Sequence, residues 1–484
     1  MMKNFLLFLF FISQVLLANA QKGYDVKVSF KQPVEDTTLM MGRYYCKLSN
    51  TIAFDTAVRE KDGSFHFKGN EEFTGGIYWI IFSNKSKKVD FLMDNGYKME
   101  ITIDTVNLLK GTVFKGSKDN ELMQQYHIED IAFREKADEA GEQLKKAKTK
   151  ADSTRIYEEI NNYRAKLVEK YKKKADEQKG SMFSLIMNAL WKPTPPEGPH
   201  YKEDGKTIDS FFNYRYNKAH YWDNFEVWDN RLAFTPLYDE KLKDYFDNYV
   251  YPVPDSVQYE ADVLLALSKP APDMFKYTLH WLAYYTRTKK VMGMDESFVY
   301  LVDNYYAKGD AFWITDSATL EKNYLEPAEE LSYTKLGKVG QDLALHDAYT
   351  QMPRNLHSVQ ADYIILVFWE PACHHCQEEI PAIDSVYKAL HLDQKNVVIY
   401  SVPQDKSLES IHKMIDQLKV KNPAWLHNIN LTGVRANKLY AFNKNPAVFI
   451  LDKDKKIIGK QINHEAIGKI IDRDVSLKDK EAKN

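Results

Sequence analysis

Apolar residues recur along this chain with three different patterns, and the pattern changes near residues 120 and 335. Over residues 21–120 they form short alternating or clustered runs: Tyr24–Phe30, Leu39–Leu48, Ser64–Phe67, Ile77–Phe82 and Met99–Ile103. Turn signals such as Lys61-Asp62-Gly63-Ser64 and Asp94-Asn95-Gly96 separate them, which predicts a small antiparallel β sandwich or barrel. Over residues 121–334 the spacing becomes three and four, as in Ile156, Ile160, Tyr163, Leu167 and Tyr171. That predicts an all-α module, with Asp152 or Ser153 capping this helix and Gly180 following it. A break at Pro193–Pro199 precedes an aromatic-rich stretch from Phe211 to Tyr285. Aromatic residues at helical spacing read as core packing, and a groove for a polypeptide partner is the other reading.

From residue 335 to 476 strands and helices alternate. Tyr363–Trp369 is apolar throughout, which predicts a fully buried parallel strand. Predicted next are a helix after Cys373, a strand over Asn396–Val402 and a helix over Leu408–Leu418. Ala447–Asp452 and Lys456–Lys460 read as a hairpin around Lys453-Asp454-Lys455, and a closing helix starts near His464. A charged tail over residues 477–484 ends the chain. The expected class is therefore multidomain, with a small antiparallel β domain, an all-α middle module and a C-terminal α/β domain with a mixed sheet.

The N-terminal segment and the composition narrow the functional classes. Residues 1–20 read as a signal peptide. Lys3 is basic, Phe5–Leu17 is apolar except at Ser13 and Gln14, and Ala18-Asn19-Ala20 offers a small-x-small cleavage pattern. The apolar stretch is shorter than the ~20 residues of a membrane span, and no later stretch reaches that length. The expectation is an exported protein of the periplasm or cell envelope, with no transmembrane segment after cleavage. The 484 residues are 44% hydrophobic, enough for packed cores, and the net charge of −2 offers no general attraction to nucleic acid or anionic lipid.

Three cysteines are too few for a disulfide scaffold in an exported chain of this length. Cys46 is expected to be a small buried residue on a strand, with a target thiol as the alternative. Cys373 and Cys376 lie together at the predicted strand-to-helix turn. Three residues apart on a first helical turn, they share one face and can close a small disulfide ring. The unpaired N–H groups and dipole at that helix start favour a thiolate on the first sulfur. Thiol–disulfide exchange needs that arrangement.

These residues resemble the thioredoxin-like superfamily, and most closely the exported TlpA/ResA-type proteins. The matching features are the strand ending in Phe368-Trp369, Cys373-x-x-Cys376, Glu379-Ile380-Pro381, and the strand opened by a proline at Asn445-Pro446-Ala447-Val448. Gly337–Leu345 is similar to the family's leading strand. The resemblance implies a thioredoxin-like domain over 335–476 and a thiol-disulfide oxidoreductase, with Cys373 attacking and Cys376 resolving. It implies that Pro446 is a cis-proline and that Trp369, Asn445 and Pro446 contact substrate. Glu379 resembles an acid that serves the second thiol. Val367 stands where thioredoxin itself buries an acid, so proton transfer falls to Glu379 or to water. His375 resembles the histidine of oxidising isomerase-type motifs and is expected to tune the pair. Ala372 replaces a tryptophan often found before the first cysteine. The implied partners are cysteine-containing client proteins and a membrane thiol electron carrier of the DsbD type.

No cofactor is expected. Cys-His-His-Cys holds four soft ligands, but successive helical residues point ~100° apart and cannot all converge on one metal ion. Gln377 stands where covalent haem attachment needs histidine. The functional alternative is an envelope protein that binds peptides or clients through its first ~330 residues, with redox chemistry secondary. No glycine-rich phosphate loop or serine nucleophile elbow is present.

Overall fold

The computed structural model describes residues 22–83 and 85–481, so the expected signal peptide lies outside the described residues. The chain forms two compact units, one up to Tyr245 with Leu267–Met274, the other Phe246–Ala266 with Phe275 onward. Helical residues of 121–334 are found in both.

The first unit opens with eight strands: β1 (Tyr24–Phe30), β2 (Thr38–Tyr45), β3 (Lys47–Val58), β4 (Phe65–Gly69), β5 (Gly76–Phe82), β6 (Lys87–Met93), β7 (Tyr97–Ile103) and β8 (Val113–Lys115). They form two four-stranded sheets, ordered β4-β1-β7-β8 and β3-β2-β5-β6. Val26, Val28, Phe67 and Ile101 of the first sheet share one core with Leu39, Met41, Ile80 and Phe91 of the second. This is the expected sandwich, with one departure: β1 and β7 run parallel. Side-chain alternation specifies which face is buried but not which way a neighbouring strand runs.

The predicted Leu39–Leu48 strand is broken at Cys46, whose φ of 58° turns the chain from β2 into β3. Cys46 is thus buried, as expected, but lies between strands. Its N–H bonds the Ala233 carbonyl at 2.7 Å and its carbonyl accepts from Asp239 N–H at 2.9 Å. Burial, followed by Asp273 and Asp239, pushes its thiol well up.

Helices α1 (Lys118–Lys146), α2 (Lys150–Glu177) and α3 (Met182–Leu190) follow. α1 and α2 form a hairpin, with Phe133 stacked on Tyr163 at 5.9 Å and Lys170 2.6 Å from Glu129. The cap of α2 is Thr149, not Asp152 or Ser153. Thr149 Oγ1 accepts from Asp152 N–H at 3.1 Å, and the Asp152 carboxylate accepts from the threonine hydroxyl at 2.6 Å. The first turn is polar, so apolar spacing cannot reveal it; the cap chemistry sets the start. The aromatic stretch is mostly core, as in the Phe225–Tyr238 stack at 5.5 Å, while Phe211, Tyr214 and Trp228 are exposed.

Further helices are α4 (Tyr238–Asn248), α5 (Pro254–Ser268), α6 (Pro272–Thr288) and α7 (Asp295–Leu301). The second unit then builds a seven-stranded mixed sheet from β9 (Ala344–Asp347), β10 (Pro353–Asn355), β11 (Tyr363–Trp369), β12 (Val397–Pro403), β13 (Trp425–Ile429), β14 (Ala447–Asp452) and β15 (Ile457–Lys460). The order is β10-β9-β13-β12-β11-β14-β15. β11, β12 and β13 are parallel, while β14 runs antiparallel to β11 and β15 antiparallel to β14.

Every residue of β11 is buried. Ile365, Val367 and Trp369 enter one core, whereas Ile364, Leu366 and Phe368 enter the core on the opposite face. Helices α8 (His374–Ala389), α9 (Leu408–Leu418) and α10 (His464–Glu481) complete the unit. The leading strand expected over Gly337–Leu345 is confined to β9; upstream, Val339 makes a single bridge to Lys456. β13 carries His427 and Asn428, and the amide of Asn428 satisfies the buried Ser401 carbonyl at 3.0 Å.

Candidate functional site

The site is assembled where the buried central strand meets a helix. β11 ends at Trp369, and Glu370-Pro371-Ala372 turns the chain so that Cys373 N–H bonds the Glu370 carbonyl at 3.1 Å. Cys373 then occupies the N-cap of α8, with extended φ and ψ of −83° and 117°. Its sulfur accepts the Cys376 N–H at 3.3 Å, as a serine or aspartate oxygen would at a helix start. A partial positive charge therefore faces Cys373 from the helix end.

Cys376 lies one turn on, fully buried among Val367, Trp369 and Ile380. Burial pushes its thiol up to about 12, with Cys373 adding to the rise and a backbone hydrogen bond from Glu370 opposing it. The two sulfurs are thus unequal, one partly exposed at a helix cap and the other dry beneath the first turn.

A distant loop closes the site. The Asn445–Pro446 peptide is cis, and the Asn445 carbonyl accepts from the Cys373 thiol at 3.5 Å. Pro446 leads directly into β14, which pairs with β11, so the sheet register brings this loop beside the cysteine turn.

The other expected residues are placed differently. Trp369 is only 2% exposed, and its indole N–H donates to Ser401 Oγ at 2.8 Å, so it is a core residue. The His375 side chain is 82% exposed, with Nδ1 3.8 Å from Glu378, and His374 lies 3.6 Å from the same carboxylate. Glu379 joins α8 to α10: one oxygen accepts the His464 backbone N–H at 2.5 Å and the other lies 2.9 Å from His464 Nδ1. Val367 is core, as its sequence position implied. Sequence reasoning passed over His464, for which no local signal exists, and the turn in which the Glu370 backbone carbonyl anchors Cys373. Among the described residues no group of three or more His, Cys, Asp or Glu is arranged to hold a metal ion.

Two family models match the chain: one described as thioredoxin-like over residues 361–457, and a domain of unknown function, DUF4369, over residues 24–123. A curated relative, the thiol-disulfide oxidoreductase ResA of Bacillus cereus, is 24% identical over 110 residues. That alignment covers 23% of this chain and 60% of the relative, so the chain spans less than two thirds of the curated relative's length. Among solved structures, a domain of a possible thiol-disulfide isomerase from Cytophaga hutchinsonii is 31% identical. It is covered to 95%, against 30% of this chain, with a TM-score of 0.27. A thioredoxin-like protein from Bacteroides caccae is 17% identical and is covered to 99%, against 58% of this chain, with a TM-score of 0.45. With the buried strand, the paired cysteines at the helix start and the cis-proline loop in place, residues 361–457 belong to the thioredoxin-like family, while residues 24–123 match the DUF4369 model.

Proposed function

We propose that the chain is an exported thiol-disulfide oxidoreductase that exchanges disulfides with cysteine-containing clients. The observation that carries this reading is one juxtaposition: Cys373 sulfur accepts the Cys376 N–H at 3.3 Å and lies 3.5 Å from the Asn445 carbonyl, beside Pro446. In the reducing direction the Cys373 thiolate attacks one sulfur of a client disulfide, forming a mixed disulfide and releasing the first client thiol. Cys376 then attacks Cys373, the mixed disulfide breaks, and the second client thiol leaves. The client gains two electrons and the enzyme pair loses two. A membrane thiol carrier of the DsbD type would return them, and the same steps reversed oxidise a client. The Asn445 backbone is the surface against which the client strand lies.

The test uses single serine variants. Cys373→Ser should abolish exchange, and Cys376→Ser should accumulate mixed disulfides that survive non-reducing electrophoresis. Exchange that persists in Cys373→Ser removes the assignment of the nucleophile.

Client binding by the leading modules is a second reading, favoured by exposed Phe211, Tyr214 and Trp228. Binding of an unfolded, cysteine-free polypeptide that persists when both Cys373 and Cys376 are serine supports it, and loss of that binding in a Phe211→Ala variant locates it.

A further inference from the structure

The chain between the end of β11 and the first turn of α8 is tied down carbonyl by carbonyl. The Trp369 carbonyl accepts the Gln404 N–H at 2.6 Å, and the Glu370 carbonyl accepts the Cys373 N–H at 3.1 Å. The Pro371 carbonyl accepts from Nε2 of the Gln377 side chain at 3.1 Å. The Cys373 carbonyl accepts the Gln377 N–H at 3.2 Å. Gln377 therefore grips the chain on both sides of the Ala372–Cys373 link, with its side chain before it and its backbone after it.

Backbone donors are present whatever the residue, so the Gln377 amide is the tie in this series that a substitution can remove. Proline has no N–H, and its carbonyl is the backbone group by which Pro371 can be held. A carbonyl only accepts, so the nitrogen of the Gln377 amide, and not its oxygen, must face it. Ala372, between the two grips, is exposed and brings only a methyl group.

Cys373 has two tasks with different demands. Attack on an incoming disulfide is a collision with a sulfur that is partly exposed. Resolution is intramolecular: the buried Cys376 must meet a Cys373 sulfur held in one direction. That direction belongs to the N-cap geometry of Cys373, in which its sulfur accepts the Cys376 N–H at 3.3 Å.

We propose that Gln377 is a positioning residue for the resolving step, keeping the Cys373 side chain over the first turn of α8, where Cys376 reaches it; this rests on the exchange proposed above. In that step the Cys376–Cys373 bond forms as the bond from Cys373 to the client breaks. The client sulfur leaves with the electron pair, and the Cys376 proton passes to water.

Stopped-flow reaction of the reduced full chain with dithiobis(nitrobenzoate) separates the two tasks, because attack releases the first coloured thiolate and resolution the second. Gln377→Met keeps the length of the side chain and removes the donor. Its first release should match wild type, and its second should slow about three- to tenfold, the range that one neutral hydrogen bond supplies. The equilibrium constant for closing the Cys373–Cys376 disulfide against glutathione should fall by a similar factor. Gln377→Lys returns an N–H donor and should recover the second rate in about 0.5 M salt, where its charge is screened.

A second release unchanged in Gln377→Met overturns the proposal, and a lowered urea midpoint beside it would make Gln377 a structural residue alone. Equal slowing of both releases, or a Gln377→Lys variant no faster than Gln377→Met, overturns it too. Failure of the underlying exchange reads differently: a first release that survives Cys373→Ser, or a wild-type chain with no second release, removes the pathway whatever Gln377 does.

Discussion

At the residue scale, the site depends on what each side chain can reach. His375 and His374 follow the attacking cysteine in sequence, yet both rings extend into solvent towards Glu378. A charge in water acts weakly on a neighbour, because solvent and salt screen it. His375→Asn is therefore expected to shift the reduction potential by less than about 30 mV, which is a tenfold change for a two-electron couple. Equilibration with glutathione measures it, and a larger shift would return His375 to the role its sequence position suggested. Glu379 makes the opposite case. Replacing it with alanine leaves the His464 N–H without its charged acceptor, at a cost of about 1.5–3 kcal/mol. Urea unfolding of Glu379→Ala should show that loss; an unchanged midpoint would mean water substitutes for the carboxylate.

At the element scale, the buried strand β11 and the helix α8 hold the cysteines, and neighbouring elements hold β11. β15, at the edge of the same sheet, carries Lys460, whose side chain is 3% exposed and 2.5 Å from Asp295 at the start of α7. Thr334 gives the ammonium a second oxygen at 3.3 Å. A buried ammonium without its counter-ion is expensive, and removal of one partner from such a pair costs about 3–5 kcal/mol. Asp295 is partly exposed, so Asp295→Ala is expected near the low end, about 3 kcal/mol, in denaturant unfolding. Replacing both residues with apolar ones of similar size should recover most of the loss. If the single variant loses under ~1 kcal/mol, water reaches Lys460 and the pair is not a clasp.

At the scale of the whole molecule, burial has a consequence in alkali. Burial is the main cause that raises the Cys46 and Cys376 thiols and the phenols of Tyr44, Tyr78 and Tyr440. The unfolded chain ionises these groups nearer their ordinary values, ~8.5 for cysteine and ~10 for tyrosine. The folded state therefore keeps protons that the unfolded state has released. Stability is full below about pH 8.5 and falls as pH rises through that window. Urea midpoints of the reduced chain should drop steadily from about pH 8.5 to about pH 10.5, and Cys376→Ser should remove part of the slope. A midpoint independent of pH over that range would show that the groups are not shielded in solution.

Much of this was legible in the chain because the relevant distances are short. Two cysteines three residues apart, after an apolar run and before a helical pattern, can adopt few geometries. The backbone of one helical turn brings the Cys376 N–H to Cys373 sulfur with no help from the rest of the fold. The hairpin over β14 and β15 and the helices α9 and α10 followed from local periodicity in the same way. Cys46 and the start of α2 did not, since a left-handed turn and a polar cap leave no mark on apolar spacing. β13 was missed because buried His427 and Asn428 look polar until their partners are known. The contacts that complete the site span far more chain. Asn445 meets Cys373 across 72 residues, and His464 meets Glu379 across 85. No local preference encodes those meetings. They follow from sheet register and the packing of α8 against α10, where burial of many side chains together decides which distant backbone lies beside the sulfur.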